Sequence, residues 1–244
     1  MRSGNPVLKP KAFNETLAGA NEEKMTLMGT VHKTSVLLVL LICAASFTWK
    51  MGADDPAIMT WSIGGFIVGL IFAIVTVFKP TWAPTTAPVY AVAEGFGLGG
   101  ISLLFETMYP GIVLQAVMLT FGVLFALLGA YRSGLIQATE NFKLGVAAAT
   151  GGIFLVYMVN IIMGFFGASI PFIHESGPLG IAFSGFVVVI AALNLVMDFD
   201  FIETGAEQGS AKYMEWFGAF GLIVTLVWLY IEILHLLSKL RGRD

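Results

Sequence analysis

Leu193-Asn194-Leu195-Val196-Met197-Asp198-Phe199-Asp200-Phe201-Ile202-Glu203 carries an apolar run, long enough to cross a bilayer, straight into a set of carboxylates. An acidic side chain at membrane depth costs at least a few kcal/mol, so it faces a partner, a cavity or an ion path rather than lipid. A second acid of this kind, Glu232, lies inside the last apolar run. Outward from this stretch the same texture repeats. The 244 residues are 57% hydrophobic and 12% charged, against about 25% charged in an ordinary soluble domain. This composition identifies an all-α polytopic membrane protein whose first partner is the lipid bilayer. A net charge of -3 gives no reason to expect a nucleic-acid partner. The single Cys43 cannot form an internal disulfide.

About 20 residues of helix match a hydrocarbon core of ~30 Å, and on that window seven transmembrane helices are predicted at 34–52, 58–78, 86–107, 110–131, 143–168, 178–201 and 218–240. The breaks between them have physical causes. Asp54-Asp55-Pro56 closes the first run with two charges and a residue that cannot donate to a helix ladder. Lys79-Pro80 and Pro84 close the second, and Tyr109-Pro110-Gly111 makes a tight turn after the third. Polar loops follow at Arg132 to Lys143, Pro171 to Pro178 (with His174) and Glu203 to Tyr213. The expected organisation is a cytoplasmic tail at 1–33, a seven-helix domain at 34–240 and a basic end at 241–244. The first apolar run begins near Ser35, behind a polar segment far longer than the n-region of a signal peptide, so it reads as a span.

Basic residues favour a cytoplasmic N-terminus. With that end inside, nine Lys/Arg fall on inner segments and four (Lys50, Lys239, Arg241, Arg243) on outer ones. A seventh segment that re-enters without crossing would improve the count to twelve against one. Its length favours crossing. Small residues at Gly65 and Gly69, Gly95 and Gly99, and Ala148 and Gly152 lie four apart, a spacing that lets helix backbones approach in lipid.

The polar residues within the spans are few. Asp198 and Asp200 point about 200° apart on a helix, whereas Asp200, Glu203 and Glu207 share a face that reads as the solvated acidic end of helix six. Asp198 lies on the other side, one turn after Asn194, and is expected to face the bundle interior. In helix seven, Thr225, Trp228, Glu232, His235 and Lys239 follow spacings of three and four and form one stripe on a Leu/Ile/Val helix. Lys239 and His235 have the alternative of snorkelling to the interface, but Glu232 is too deep for that. Glu94 lies well inside helix three and Glu106 beside the Tyr-Pro-Gly turn, as an interfacial acid.

Three stretches resemble the transmembrane Bax-inhibitor-motif (Bax inhibitor/YccA) family: Pro88-Val-Tyr-Ala-Val-Ala-Glu-Gly-Phe-Gly-Leu-Gly-Gly-Ile-Ser, Asp198-Phe-Asp-Phe-Ile-Glu-Thr-Gly-Ala-Glu-Gln-Gly and Leu229-Tyr-Ile-Glu-Ile-Leu-His-Leu-Leu. The resemblance covers most of the chain from about residue 30. It implies a bacterial inner-membrane protein in which six helices surround the seventh. It also implies a calcium leak gated by protons through an acidic pair on helices six and seven. Carried onto this sequence, the pair is Asp198 and Glu232. Asn194, Asp200, His235 and Glu94 stand as supporting residues. The second acid is Glu where the family pattern has Asp, the stretch between the pair is longer, and residues 58–78 lack the Arg that locks the pair in some relatives.

The chemistry of such a pair stands independently. Two carboxylates close together in low dielectric cannot both ionise cheaply, so they hold one proton between them and titrate as a unit. Asp198 and Glu232 are therefore expected to share a proton, directly or through one water. Their oxygens also suit Ca²⁺, which takes six to eight oxygen ligands; Asn194, carbonyls or water would complete the shell. No resident cofactor is expected, and enzyme classes fit poorly. Tyr230-Ile-Glu-Ile is not the Gly-x-Gly-Asp of intramembrane aspartyl proteases, and His-Glu-x-x-His is absent. A retinal Schiff base would need a mid-helix lysine, and Lys239 is terminal. The remaining alternatives are a proton-linked transporter and a non-conducting scaffold that regulates other membrane proteins.

Overall fold

The computed structural model describes residues 23–167, 170 and 177–242. Among them are seven long helices: α1 (Leu27–Met51), α2 (Ala57–Phe78), α3 (Ala83–Met108, entered through a 3₁₀ turn at Pro80–Trp82), α4 (Ile112–Arg132), α5 (Glu140–Phe165), α6 (Pro178–Glu207) and α7 (Met214–Arg241). Each is long and apolar enough to span a bilayer. The protein is an all-α integral membrane protein with seven spans. Among the described residues, non-helical pairing is confined to one isolated antiparallel bridge, Lys24 to Ala211.

Helix positions follow the apolar blocks, but several ends differ because caps and tertiary contacts carry helices past the hydrophobic edge. α1 starts at Leu27, not 34, because the Thr26 hydroxyl accepts from Gly29 N and caps it. α6 continues to Glu207, so Asp200, Glu203 and Glu207 are all helical. Only Glu207 of the three is exposed, Asp200 and Glu203 being half-buried. α7 starts at Met214, not 218, and runs 28 residues unbroken, as a crossing segment does. The Tyr109-Pro-Gly turn is present, with Gly111 in the left-handed region at φ 80°. Residues 1–22, His174 and Arg243 lie outside the described residues.

The chain forms two compact units. The first comprises the described residues up to Ile101 together with Asp200–Ile223. Close helix approach in it comes from the small residues of α3: the Leu41 carbonyl meets Gly95, Ala45 and Thr48 meet Gly99, and α2 sets Gly65 on Ala93 O and Gly97 N. A buried hydroxyl pair, Thr76 and Thr86 at 2.7 Å, ties α2 to α3 further along.

The second unit comprises the described residues of 102–199 and 224–242. Ile153, Val187 and Ile190 form its packed cluster, with Tyr157, Phe183, Leu193 and Trp228 against it. Ala148 and Gly152 are not a helix-contact pair, since a Cβ at Gly152 would meet nothing within 4 Å. α5 is the least enclosed span, 11% of its hydrophobic window being buried, and Gly145, Gly151 and Gly152 on it have open space at the Cβ position. The corresponding share is 56% in α7 and 61% in the α3 span. The enclosure expected of helix seven alone is thus shared with α3, whose run of Gly and Ala allows neighbours to close over it.

Candidate functional site

The stripe on α7 is buried or half-buried along its length. Thr225 stands at its start, beside the Asp198 carboxylate of α6. Asp198 is half-buried as a residue, but its Oδ2 is enclosed and has no hydrogen-bond partner. An enclosed carboxylate oxygen left unsatisfied costs free energy on the order of 1–3 kcal/mol unless a proton, water or cation answers it. One turn earlier, Asn194 donates to Thr150 Oγ1 at 2.9 Å and to Ile190 O at 2.8 Å.

Glu232 is 4% exposed. The Tyr157 hydroxyl of α5 donates to its Oε1 at 2.9 Å and Trp228 Nε1, one turn back on α7, donates to the same oxygen at 3.2 Å. These are neutral donors, and they fix the head group without neutralising it. His235 makes an edge contact with Phe105, ring centroids 5.5 Å apart. Lys239 does not snorkel: it is 8% exposed and donates to Ser184 Oγ at 2.8 Å and Gly180 O at 3.3 Å. The stripe therefore carries hydroxyl, carboxylate, imidazole and ammonium in order, all turned toward protein.

Asp198 and Glu232 do not share a hydrogen bond among the described residues. Asp198 is held at Thr225, seven residues before Glu232, or about 10 Å of helix rise. The connection between α6 and α7 sets this register, and the two acids occupy successive levels of α7.

Glu94 belongs to the first unit. It is 9% exposed, and its Oε2 lies 2.5 Å from where a Cβ on Gly69 would stand. The absent side chain at Gly69 makes the room for it. Glu106 accepts from Gly111 N at 2.6 Å and Val113 N at 3.1 Å, satisfying free amides at the start of α4. Among the described residues no group of three or more His, Cys, Asp or Glu could hold a metal ion.

Sequence reasoning missed Glu215, also in the first unit and 0% exposed. Its Oε1 accepts from Thr26 N and Thr26 Oγ1, both at 2.9 Å, and its Oε2 accepts from Lys33 Nζ at 2.6 Å. Two backbone bonds, Met25 N to Ser210 O at 2.7 Å and Lys212 N to Glu23 O at 3.0 Å, clasp the segment before α1 to the segment before α7. The signal was legible in part, since Thr26 precedes an apolar run and Glu215 falls in a first helical turn, the two marks of a helix start.

The family model described as Bax inhibitor 1 like matches residues 5–242. No curated protein and no solved structure matches the chain.

Proposed function

The chain belongs to the Bax inhibitor 1-like family, multi-span membrane proteins that are generally not enzymes, and from that premise we propose that it is a pH-sensitive calcium leak of a bacterial cytoplasmic membrane, its N-terminus inside, gated by Asp198 and Glu232. The observation that carries this reading is the enclosed, unpartnered Oδ2 of Asp198. A hard, desolvated oxygen of this kind takes a proton or a cation, and exchange between the two changes the charge in the helix packing at that level. Thr225 positions the carboxylate, and Asn194, whose amide nitrogen is engaged by Thr150 and Ile190, leaves its carbonyl oxygen for a passing ion.

Glu232 acts as the second level of the same path. Tyr157 and Trp228 steady it in either protonation state, because a phenol can accept from a carboxylic acid as well as donate to a carboxylate. The path is then two successive acids, not one shared proton. In proteoliposomes, Asp198→Asn should abolish the response of Ca²⁺ flux to a pH step, while Glu203→Gln leaves it nearly unchanged. Equal effects of the two would sink the assignment in favour of a diffuse acidic mouth.

A second reading, a proton-linked transporter, draws support from the lack of a third acidic or imidazole ligand near the pair among the described residues. It predicts that Asp198→Asn alters proton uptake in liposomes free of Ca²⁺.

A further inference from the structure

α1, α2 and α3 enclose an open groove of about 690 Å³ in the first unit, within the range of ~300–1,000 Å³ typical of small-molecule sites. Its lining is almost wholly apolar and includes Leu40, Trp61, Gly64, Val68, Val89 and Phe96. Gly64 and Gly65 are neighbours with opposite fates. Gly65 is filled by the backbone of α3, whereas a Cβ at Gly64 would meet nothing within 4 Å. The groove is the space that Gly64 leaves open beside that contact. Trp61 and Phe96 line it with their rings tilted and centroids 5.0 Å apart, and Phe47 makes edge contacts with both at 5.4 and 5.7 Å.

We propose that this groove binds one acyl chain of a membrane phospholipid. All of its lining residues belong to spans, so the medium that meets it is hydrocarbon, and the one polar side chain in its lining is Thr60. From Thr60 to Val68 the α2 wall rises about 12 Å, close to the ~15 Å that half of a ~30 Å hydrocarbon core supplies to one chain. A transmembrane helix is a poorer occupant. Helix docking in lipid draws on rows of small residues or on hydrogen bonds, and here Gly64 is followed on its own face by Val68 and flanked by Trp61, 43% exposed. Past Thr60 the groove ends at the turn where Lys50, Asp54 and Asp55 place charges of both signs, so the chain, not the headgroup, is what the site selects.

The test is native mass spectrometry of the full-length protein in detergent with added phosphatidylcholine. Wild type should retain a one-phospholipid adduct that Gly64→Leu, filling the groove, loses. Gly122→Leu is the control: Gly122 is equally open on α4 and is not a lining residue of the groove, and this variant should keep the adduct. Val89→Phe, which narrows the groove from α3, should repeat the loss if Gly64→Leu fails to fold. Retention of the adduct by the folded filling variants, or its loss from Gly122→Leu as well, overturns the proposal. A wild-type dimer that Gly64→Leu converts to a monomer overturns it too, and makes a second copy the occupant.

Discussion

Glu215 and Glu232 are both buried carboxylates of one helix, and they differ in what answers their charge. Glu215 receives an ammonium at 2.6 Å, a hydroxyl and a backbone amide, all from the segment 26–33, and the Trp216 ring lies 5.7 Å from the same Lys33 Nζ. Glu232 receives two neutral donors on a single oxygen, and Asp198 has an enclosed oxygen with no partner. A carboxylate saturated by a cation and two further donors has one stable protonation state and serves as a structural tie. One that keeps spare lone pairs can gain and lose a proton without dismantling its surroundings. On the proposed reading, burial alone does not mark a gating acid in this protein, since Glu215 is as buried as Glu232 and is fully satisfied.

The largest expected effect follows from breaking the tie. Glu215→Ala strands the Lys33 ammonium and the Thr26 amide, and breaking a buried pair in this way costs about 3 kcal/mol, read as thermal unfolding in detergent. Glu232→Gln should cost about 1 kcal/mol yet change the pH response of flux, which Glu215→Ala should leave intact in whatever fraction folds. If the ranking is reversed in either assay, the division into structural and working acids is wrong.

Two glycines sharpen the same comparison. A Cβ at Gly29 would collide with the Glu215 carboxylate, and one at Gly69 with the end of Glu94. Both obstacles are tips of flexible side chains, but Glu215 is pinned by three bonds, whereas Glu94 has no hydrogen bond among the described residues and can swing away. Gly29→Ala should therefore cost about 1–3 kcal/mol, and Gly69→Ala should cost less. Equal costs in thermal unfolding would mean that Glu94 is held as firmly as Glu215.

What the sequence made legible divides along similar lines. The seven spans could be read because a bilayer imposes length and apolarity on each helix separately, and the polar stripe of α7 because helical spacing is local. Asp198 and Glu232 stood out for the same reason. The level of each acid on α7 could not be read, because it depends on where α6 stops and α7 restarts, and the six residues at 208–213 leave that register open. Glu215 was hidden by its place beside that loop, its partners being 182 and 189 residues away in sequence. The enclosure of α3 was implied by its glycines, but small residues at Ala148 and Gly152 gave the same local pattern and face outward. Spacing shows that a close approach is possible, and only the partner helix decides whether it happens.

The smallest effect is expected at Lys212, whose ammonium lies 3.0 Å from Glu23 with the two side chains 47% and 79% exposed. It serves as the more exposed counterpart of the Lys33–Glu215 pair, joining neighbouring parts of the same two chain segments with the charges exchanged. The Glu23 hydrogen bond, then the field of Glu215, raise the Lys212 pKa above the ordinary lysine value of 10.5. A raised folded-state pKa means that the contribution is complete below the unfolded value and disappears as pH climbs through the folded one. Lys212→Ala should therefore lower Tm slightly at neutral pH, less in high salt, and the gap from wild type should close above pH 10.5. Tm measured across that range for both proteins checks this. A loss at neutral pH as large as that of Glu215→Ala would show that the clasp depends on charge wherever it lies. A small loss leaves the burial of the Glu215 carboxylate and its three bonds as the reason that its tie is the stronger of the two.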